Sequence, residues 1–381
     1  DDLCSQESRD TSERIKSIWG ETKVLKGLMD EKIEFSKNQE EKNLAIKHML
    51  KSLEEADLNS SEEILDLELL ENKLVNNLEI NNSMLLLPRE KMEPRFLDRR
   101  VGYFSQTQTD YGLDEQKAKT TTYIKRWKLV PKDIEAYNRG ELVEPIKPIV
   151  YYIDPATPEK WRKYLKQGVD DWQVAFEQAG FKNAIFCKYP PSKEEDPDWS
   201  PEDARYSVIR YFASDIQNAY GPHTADPRTG EILESDIGWY HNVMNLLRNW
   251  YLVQTAAVNE SSRSVKFEDE VMGQLIRFVS AHEVGHTIGL PHNMGSSYAY
   301  PVDSLRSKTF TSNHGVAPSI MDYARFNYIA QPGDEGVSLV IDVGPYDKYS
   351  TMWGYKPILD VSEKKEKEIL RSWIREKEND L

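Results

Sequence analysis

The clearest pattern of apolar and polar positions lies in "PEKWRKYLKQGVDDWQVAFEQAGF". Trp161, Leu165, Val169, Trp172, Phe176 and Ala179 recur at steps of three or four, which puts them on one face of a helix. Pro158 suits its first turn and Gly180 its C-terminal stop. A strand is expected before it in "PIVYYID" (148–154), and strands after it in "NAIFCKY", "YSVIRYFA" and "GEILESDIGWY", separated by Pro-, Asp- and Gly-rich turns. A second long helix is expected in "FEDEVMGQLIRFVSAHEVGHTIGL", with Leu275, Phe278 and Val279 in its apolar stripe. Strand, helix, strands and helix describe an α/β (α+β) sandwich around a small mixed sheet.

The texture differs upstream. Residues 1–82 are rich in Glu, Lys and Leu at helical spacing, as in "SERIKSIWGETKVLKGLM", and "ADLNSSEE" reads as a break carrying N-cap residues. Nothing there suggests chemistry, and His48 reads as a surface helix residue. Residues 83–147 alternate apolar with polar positions in "RVGYFSQTQTDYG" and "TTTYIKRWKLVPKD", which suggests two or three strands, and Pro145 and Pro148 mark a connector. The expected organisation is therefore a helical segment 1–82, a β-rich connecting segment 83–147 and a third region 148–381.

Composition narrows the function. The 381 residues are 39% hydrophobic and 30% charged, as in a globular protein, and no apolar run approaches the ~20 residues that a membrane helix needs. A net charge of −15 argues against a nucleic-acid partner, since phosphate neutralisation needs clustered Lys and Arg. Two cysteines, Cys4 and Cys187, exclude a disulfide-rich scaffold and a Cys-type zinc ribbon, and whether they pair is open. The start "DDLCSQ", without an initiator Met or signal peptide, suggests a processed or truncated chain.

The candidate chemistry sits in "SAHEVGHTIGLPHNMG". His282 and His286, four apart on a helix, project from one face, so that both imidazoles can reach a single zinc ion at about 2.0–2.1 Å. Glu283 lies one position round, where a carboxylate can take a proton from an attacking water. Gly289 can adopt positive φ, so the helix can stop and His292 can swing back as a third ligand. Three neutral imidazoles leave a fourth position open, the catalytic and not the structural arrangement. At this chain's own His and Glu frequencies a chance HExxH arises in about one such sequence in a hundred, and with Gly289 and His292 in about one in a hundred thousand.

This extended motif resembles that of the metzincin zinc endopeptidases, HExxHxxGxxH followed by a Met-turn. "SIMDYARF" supplies the second part, with Met321 where the family has the hydrophobic floor of its zinc site. Tyr323 stands where astacins and serralysins carry a tyrosine, which implies a phenol able to stabilise the oxyanion. A closer resemblance, through "RVGYF", "PIVYYIDPATPEKW", "ARYSVIRYFAS", "AYGPHTADPRTGEILESDIGWYHNVM", "MGQLIRFVSAHEVGHTIGLPHNMGSS" and "PSIMDYARFNYIAQP", is to the bacterial, Bacteroidetes-type Met-zincins. It implies a metzincin-like catalytic domain over 148–381, with a twisted mixed sheet, a long active-site helix, an upper part 148–292 and a lower part 293–381. Asn293, after the third His, departs from the better-known branches and leaves substrate preference open.

The reading that follows is a zinc-dependent metalloendopeptidase, with zinc on His282, His286 and His292, Glu283 as general base and Tyr323 on the oxyanion. Gly289 and Met321 would support the site. A peptide or protein substrate would bind in extended form along 230–239, expected to be an edge strand above the cleft. "ARFNYIA" (324–330) would line a specificity pocket. His223 and Asp226 could hold a second metal but read better as a turn, as do His241 and His314. The alternatives are a catalytically silent peptide- or glycan-binding module and a zinc hydrolase of a non-peptide amide. The resemblance also implies a secreted, periplasmic or outer-envelope location; no oligomeric state is legible.

Overall fold

An exposed hairpin opens the fold, made of β1 (Ser105–Asp110) and β2 (Lys119–Ile124), antiparallel throughout. Cross-strand threonines hold its outer face, Thr107 with Thr122 at 3.3 Å and Thr109 with Thr120 at 3.2 Å. The structure, a computed structural model, describes residues 83–378. The expected helical segment 1–82, with Cys4 and His48, lies outside them. A short helix α1 (Ile134–Asn138), capped by the Asp133 carboxylate on the Ala136 N–H, leads to the central sheet.

Alternation builds the first strand of that sheet. In β3 (Ile149–Ile153) Ile149, Tyr151 and Ile153 are buried, with Val150 and Tyr152 half-buried between them. The expected amphipathic helix follows, but as two pieces, α2 (Glu159–Asp170) and α3 (Gln173–Gln178). The chain tightens at Asp171 and Trp172, where the Asp171 carboxylate takes two hydrogen bonds from Arg277 (2.5 and 2.7 Å) and the Trp172 indole N–H reaches the Ala281 carbonyl at 2.7 Å. A tertiary ion pair and a buried indole thus override a continuous helical period. Gly180 ends α3 at φ +91°, as expected.

The remaining strands are β4 (Ile185–Lys188), β5 (Ser207–Phe212), β6 (Ala219–Tyr220), β7 (Thr224–Ala225), β8 (Ile232–Glu234) and β9 (Ile237–Tyr240). The five-stranded sheet runs in the order β4-β3-β5-β9-β6, parallel except for β6, which pairs antiparallel with β9. β5, at the centre, is buried along its whole length, as a two-sided parallel strand must be.

Residues 230–239 are not the expected edge. β8 pairs with β7 on one side. On its other side the Arg126 N–H donates to the Gly230 carbonyl at 3.0 Å, and the Ile232 N–H to the Arg126 carbonyl at 2.8 Å. β9 is bonded to β5 and β6, so it is interior. Its Ile237, Gly238 and Trp239 are all buried, the signature of a strand covered on both faces. The antiparallel edge is instead β6, two residues long and too short to leave a pattern in the sequence.

Five helices complete the fold: α4 (Val243–Thr255), α5 (Asp269–Thr287), α6 (Lys308–His314), α7 (Pro345–Tyr355) and α8 (Glu363–Lys377). α5 is the expected long helix and packs on α2, where the Ser280 hydroxyl donates to the Leu165 carbonyl at 2.8 Å. The Arg95 guanidinium binds the last turn of α7, donating to the carbonyls of Trp353 (2.6 Å), Gly354 (2.8 Å) and Lys356 (3.0 Å), and pairs with Glu366 on α8. The same need for partners shapes the end of α5. Its Thr287 carbonyl accepts the Trp127 indole N–H at 2.9 Å, and the Ile288 carbonyl accepts the Tyr355 hydroxyl at 2.7 Å. The Tyr355 oxygen in turn accepts the Trp127 backbone N–H at 3.1 Å.

Tyr355→Phe would leave the Ile288 carbonyl and the Trp127 N–H without partners in the core. We expect a loss of about 2–4 kcal/mol in urea denaturation, from the cost of unsatisfied buried groups. A loss under about 0.5 kcal/mol would show that water reaches the end of α5.

Candidate metal centre

The last two turns of α5 carry His282, Glu283 and His286. The helix closes in a Schellman arrangement, the Gly289 N–H on the His286 carbonyl and the Leu290 N–H on the Gly285 carbonyl, both at 3.0 Å. Gly289 has φ +102°, and a Cβ there would lie 2.2 Å from the Lys125 carbonyl oxygen. Both its conformation and its contact therefore require glycine. Pro291 and His292 follow, and the chain doubles back so that the three histidines meet.

Their rings lie 5.0 Å (His282–His286), 5.2 Å (His282–His292) and 4.6 Å (His286–His292) apart between centroids. One ring nitrogen from each falls within 4.8 Å of the other two. His282 Nδ1–H donates to the Ile320 carbonyl and His286 Nδ1–H to the Leu290 carbonyl, both at 2.8 Å. A carbonyl can only accept, so each Nδ1 carries the proton and each Nε2 presents a lone pair. The Nε2 atoms of His286 and His292 face each other at 3.1 Å. Tetrahedral zinc with nitrogen ligands separates those nitrogens by about 3.4 Å, so this donor set fits zinc. Burial holds His282 and His286 far below the ordinary imidazole value, at about 3 and about 4, so both are neutral as ligands must be.

A tight turn at 320–324 lies beneath the rings. Met321 is 1% exposed, and a Cβ at Gly285 would lie 2.2 Å from its sulfur, so the bare helix face at Gly285 is what admits the Met side chain. Two buried carboxylates hold the turn. Asp347, in the first turn of α7, accepts from the Ser319 hydroxyl (2.6 Å), the Ile320 N–H (2.7 Å) and the Gly344 N–H (2.8 Å). Asp322 accepts from the Ser296 hydroxyl (3.0 Å), the Ser297 N–H (2.7 Å) and the Ala324 N–H (3.0 Å). The Asn293 N–H donates to the Met321 carbonyl at 2.9 Å, which ties the residue after His292 to the turn.

Glu283 is buried, and its Oε2 has no hydrogen-bond partner. Burial pushes its carboxyl up to about 8. The Tyr323 ring lies 4.4 Å from that of His292 and 5.6 Å from that of His282, with 45% of the residue exposed. Burial, and then the Glu283 carboxylate, raise its phenol. The structure therefore brings together all seven residues singled out in the sequence: His282, Glu283, His286, Gly289, His292, Met321 and Tyr323.

In the loop 221–230 Asp226 binds the Arg228 side chain and backbone, whereas His223 packs its ring 5.5 Å from that of Phe104 and keeps a buried Nδ1 with no partner among the described residues. His241 pairs with the Tyr211 hydroxyl at 2.5 Å, and His314 stacks 4.6 Å from Phe310. Cys187 is a buried free thiol. Sequence reasoning missed Asp347, Asp322 and Trp127. Their roles depend on partners 25 to 160 positions away, so no local spacing reports them.

With this geometry in view, residues 264–381 match a family model described as Met-zincin, a span that takes in α5, all three histidines and the Met-turn. The match supports a likeness to a metzincin-type family over that span, and the mixed α/β architecture with its mostly parallel five-stranded sheet accords with it. A second model, described as a domain of unknown function (DUF5117), matches residues 28–132. No curated protein and no solved structure matches the chain. The Met-zincin match and the histidine triad together suggest a zinc metallopeptidase-like function.

Asp347 gives a pH test of the turn. Burial pushes its carboxyl up to about 6 against its three donors. The folded chain then holds this proton more tightly than the unfolded one. The stability it contributes is complete below pH ~4 and is lost as pH rises through about 6. Asp347→Asn, whose amide oxygen can still accept the two backbone N–H groups, should flatten that part of the curve of unfolding free energy against pH. An unchanged curve would place the titration elsewhere.

Proposed function

We propose that the chain is a zinc-dependent metalloendopeptidase acting at the centre formed by His282, His286 and His292. The observation that carries this reading is the convergence of one ring nitrogen from each of the three histidines, with the inner two rings fixed through Nδ1 so that their Nε2 atoms present lone pairs, beside a buried carboxylate whose Oε2 has no partner. Bound zinc would supply Lewis acidity to the scissile carbonyl and to the attacking water.

The chain's own residues do the rest. With zinc bound, its charge would favour the ionised carboxylate against the rise that burial alone causes, and Glu283 Oε2 takes the proton of the attacking water and passes it to the nitrogen of the leaving amine. Its burial keeps bulk water from competing for that proton. Tyr323, partly exposed beside His292, donates its hydroxyl to the oxygen on which negative charge develops. An extended substrate would lie along β6, the antiparallel edge of the sheet, and not along 230–239. That edge runs into Gly221, which lies against the Glu283–Thr287 turn of α5, so a strand added there passes the centre. An open edge favours a peptide over a small non-peptide amide. A secreted, periplasmic or outer-envelope site of action accompanies this reading; among the described residues no helix is long and apolar enough to cross a membrane.

Glu283→Gln should keep one zinc per chain by elemental analysis while peptide-library hydrolysis falls by about 10²–10⁴-fold. Retained hydrolysis would overturn the assignment. Tyr323→Phe should lower kcat by about 10–100-fold and leave KM near its original value, the mark of a contact made only in the transition state. Wild-type kcat in that variant would remove the phenol from the mechanism. Each histidine changed to Ala should release zinc at chelator concentrations that the wild type withstands.

A further inference from the structure

Arg325 follows Met321 by four residues and sits next to the centre with no bonding partner among the described residues. Its guanidinium carbon lies 3.8 Å from the Trp250 ring centroid and 5.3 Å from that of Tyr323, whose ring in turn touches His292. Among the described residues the side chain makes no hydrogen bond and no ion pair, and its Nε is shut off from water with no acceptor. Arg95 binds three carbonyls and Glu366, and Arg210 binds Asp154 and Glu202; Arg126, whose Nε also lacks an acceptor, still donates to the Glu93 carbonyl at 2.9 Å. The buried Nε of Arg325 is therefore a donor left unused, which is costly unless something takes it up, while the terminal nitrogens stay within reach of water or of a ligand.

The backbone tells the same story. Arg325 has φ +60°, a left-handed conformation disfavoured for any side chain with a Cβ. It is held there from both sides, by the Ala324 N–H on Asp322 and by Phe326, buried and bridged to Val340. Strain of this kind persists where the surroundings over-determine it, and it clusters at ligand clamps. Stacking on Trp250 covers one face of the guanidinium and leaves the N–H edge, which matches a planar acceptor with two oxygens.

We propose that Arg325 is the carboxylate receptor of the substrate cleft, so that the chain prefers peptides with an acidic group adjoining the cleaved bond. This rests on the peptidase reading above and adds the substrate class to it. The chemistry admits two sources of that group, an Asp or Glu side chain and a free C-terminus. Lys would not serve equally well in place of Arg325, because a point charge lacks the fork.

Two readouts test it. Binding of end-blocked peptides that differ only in Glu against Gln, and of Ala peptides with free against amidated C-termini, is measured on zinc-free full chain through tryptophan emission. Cleavage of the same peptides is measured on zinc-loaded chain. We expect the carboxylate member of at least one pair to bind about tenfold or more tightly, and the pair that responds identifies the source. Raised salt should weaken that preference, Arg325→Gln should abolish it, and Arg325→Lys should restore only part of it. Equal binding within both pairs would overturn the proposal, as would a preference that survives in Arg325→Gln. A binding preference without hydrolysis of any peptide would leave the receptor standing and remove the peptidase reading. Hydrolysis that ignores the acidic group would do the reverse.

Discussion

A helix cannot end in a protein interior without partners for its last carbonyls, and α5 ends in the middle of this one. Gly289 and Leu290 satisfy two of those carbonyls from the same chain turn, and Trp127 and Tyr355 satisfy two more from segments before and after it. That single termination draws the β-rich entry segment, the histidine-bearing helix α5 and α7 to one point. It also sets the direction in which the chain leaves, and so where His292 arrives. Had the helix run one turn further, His292 would have continued round its axis, away from His282 and His286.

The second constraint runs through the Met-turn. Asp347 grips the Ile320 N–H, and the Ile320 carbonyl takes the His282 Nδ1–H. One residue, Ile320, thus connects a buried carboxylate on α7 with the innermost proposed ligand. Asp322 performs the matching service on the other limb, joining the turn to Ser296 and Ser297 just past His292. The two ends of the donor set are held by different carboxylates, each with three donors, and neither touches the metal position.

Much of this was legible from residue order, and the reasons for the exceptions are physical. His282, Glu283, His286, Gly289 and His292 lie within one helix and one turn, where spacing translates directly into direction. The long helix and the strands β3 and β5 were likewise readable from period and apolar runs. The break at Asp171–Trp172 was not, because Arg277 and Ala281, which cause it, belong to another helix. The edge strand was misplaced because the family resemblance put it at 230–239, whereas edge position is decided by pairing, and the edge strand β6 has only two residues. α4, α7 and α8 were not anticipated. α4 and α7 lack a sharp apolar stripe, and α8 is charged on most of its surface, burying only Leu370 and Ile374.

The three histidines differ in how far they stand from water: His282 is buried, His286 intermediate and His292 exposed. A cation taken up here would meet His292 first and last His282, whose ring is held by its Nδ1 proton on the Ile320 carbonyl. Its release would then depend on local excursions of the few residues after Leu290, which Asn293 and Asp322 restrain, and not on opening of the core.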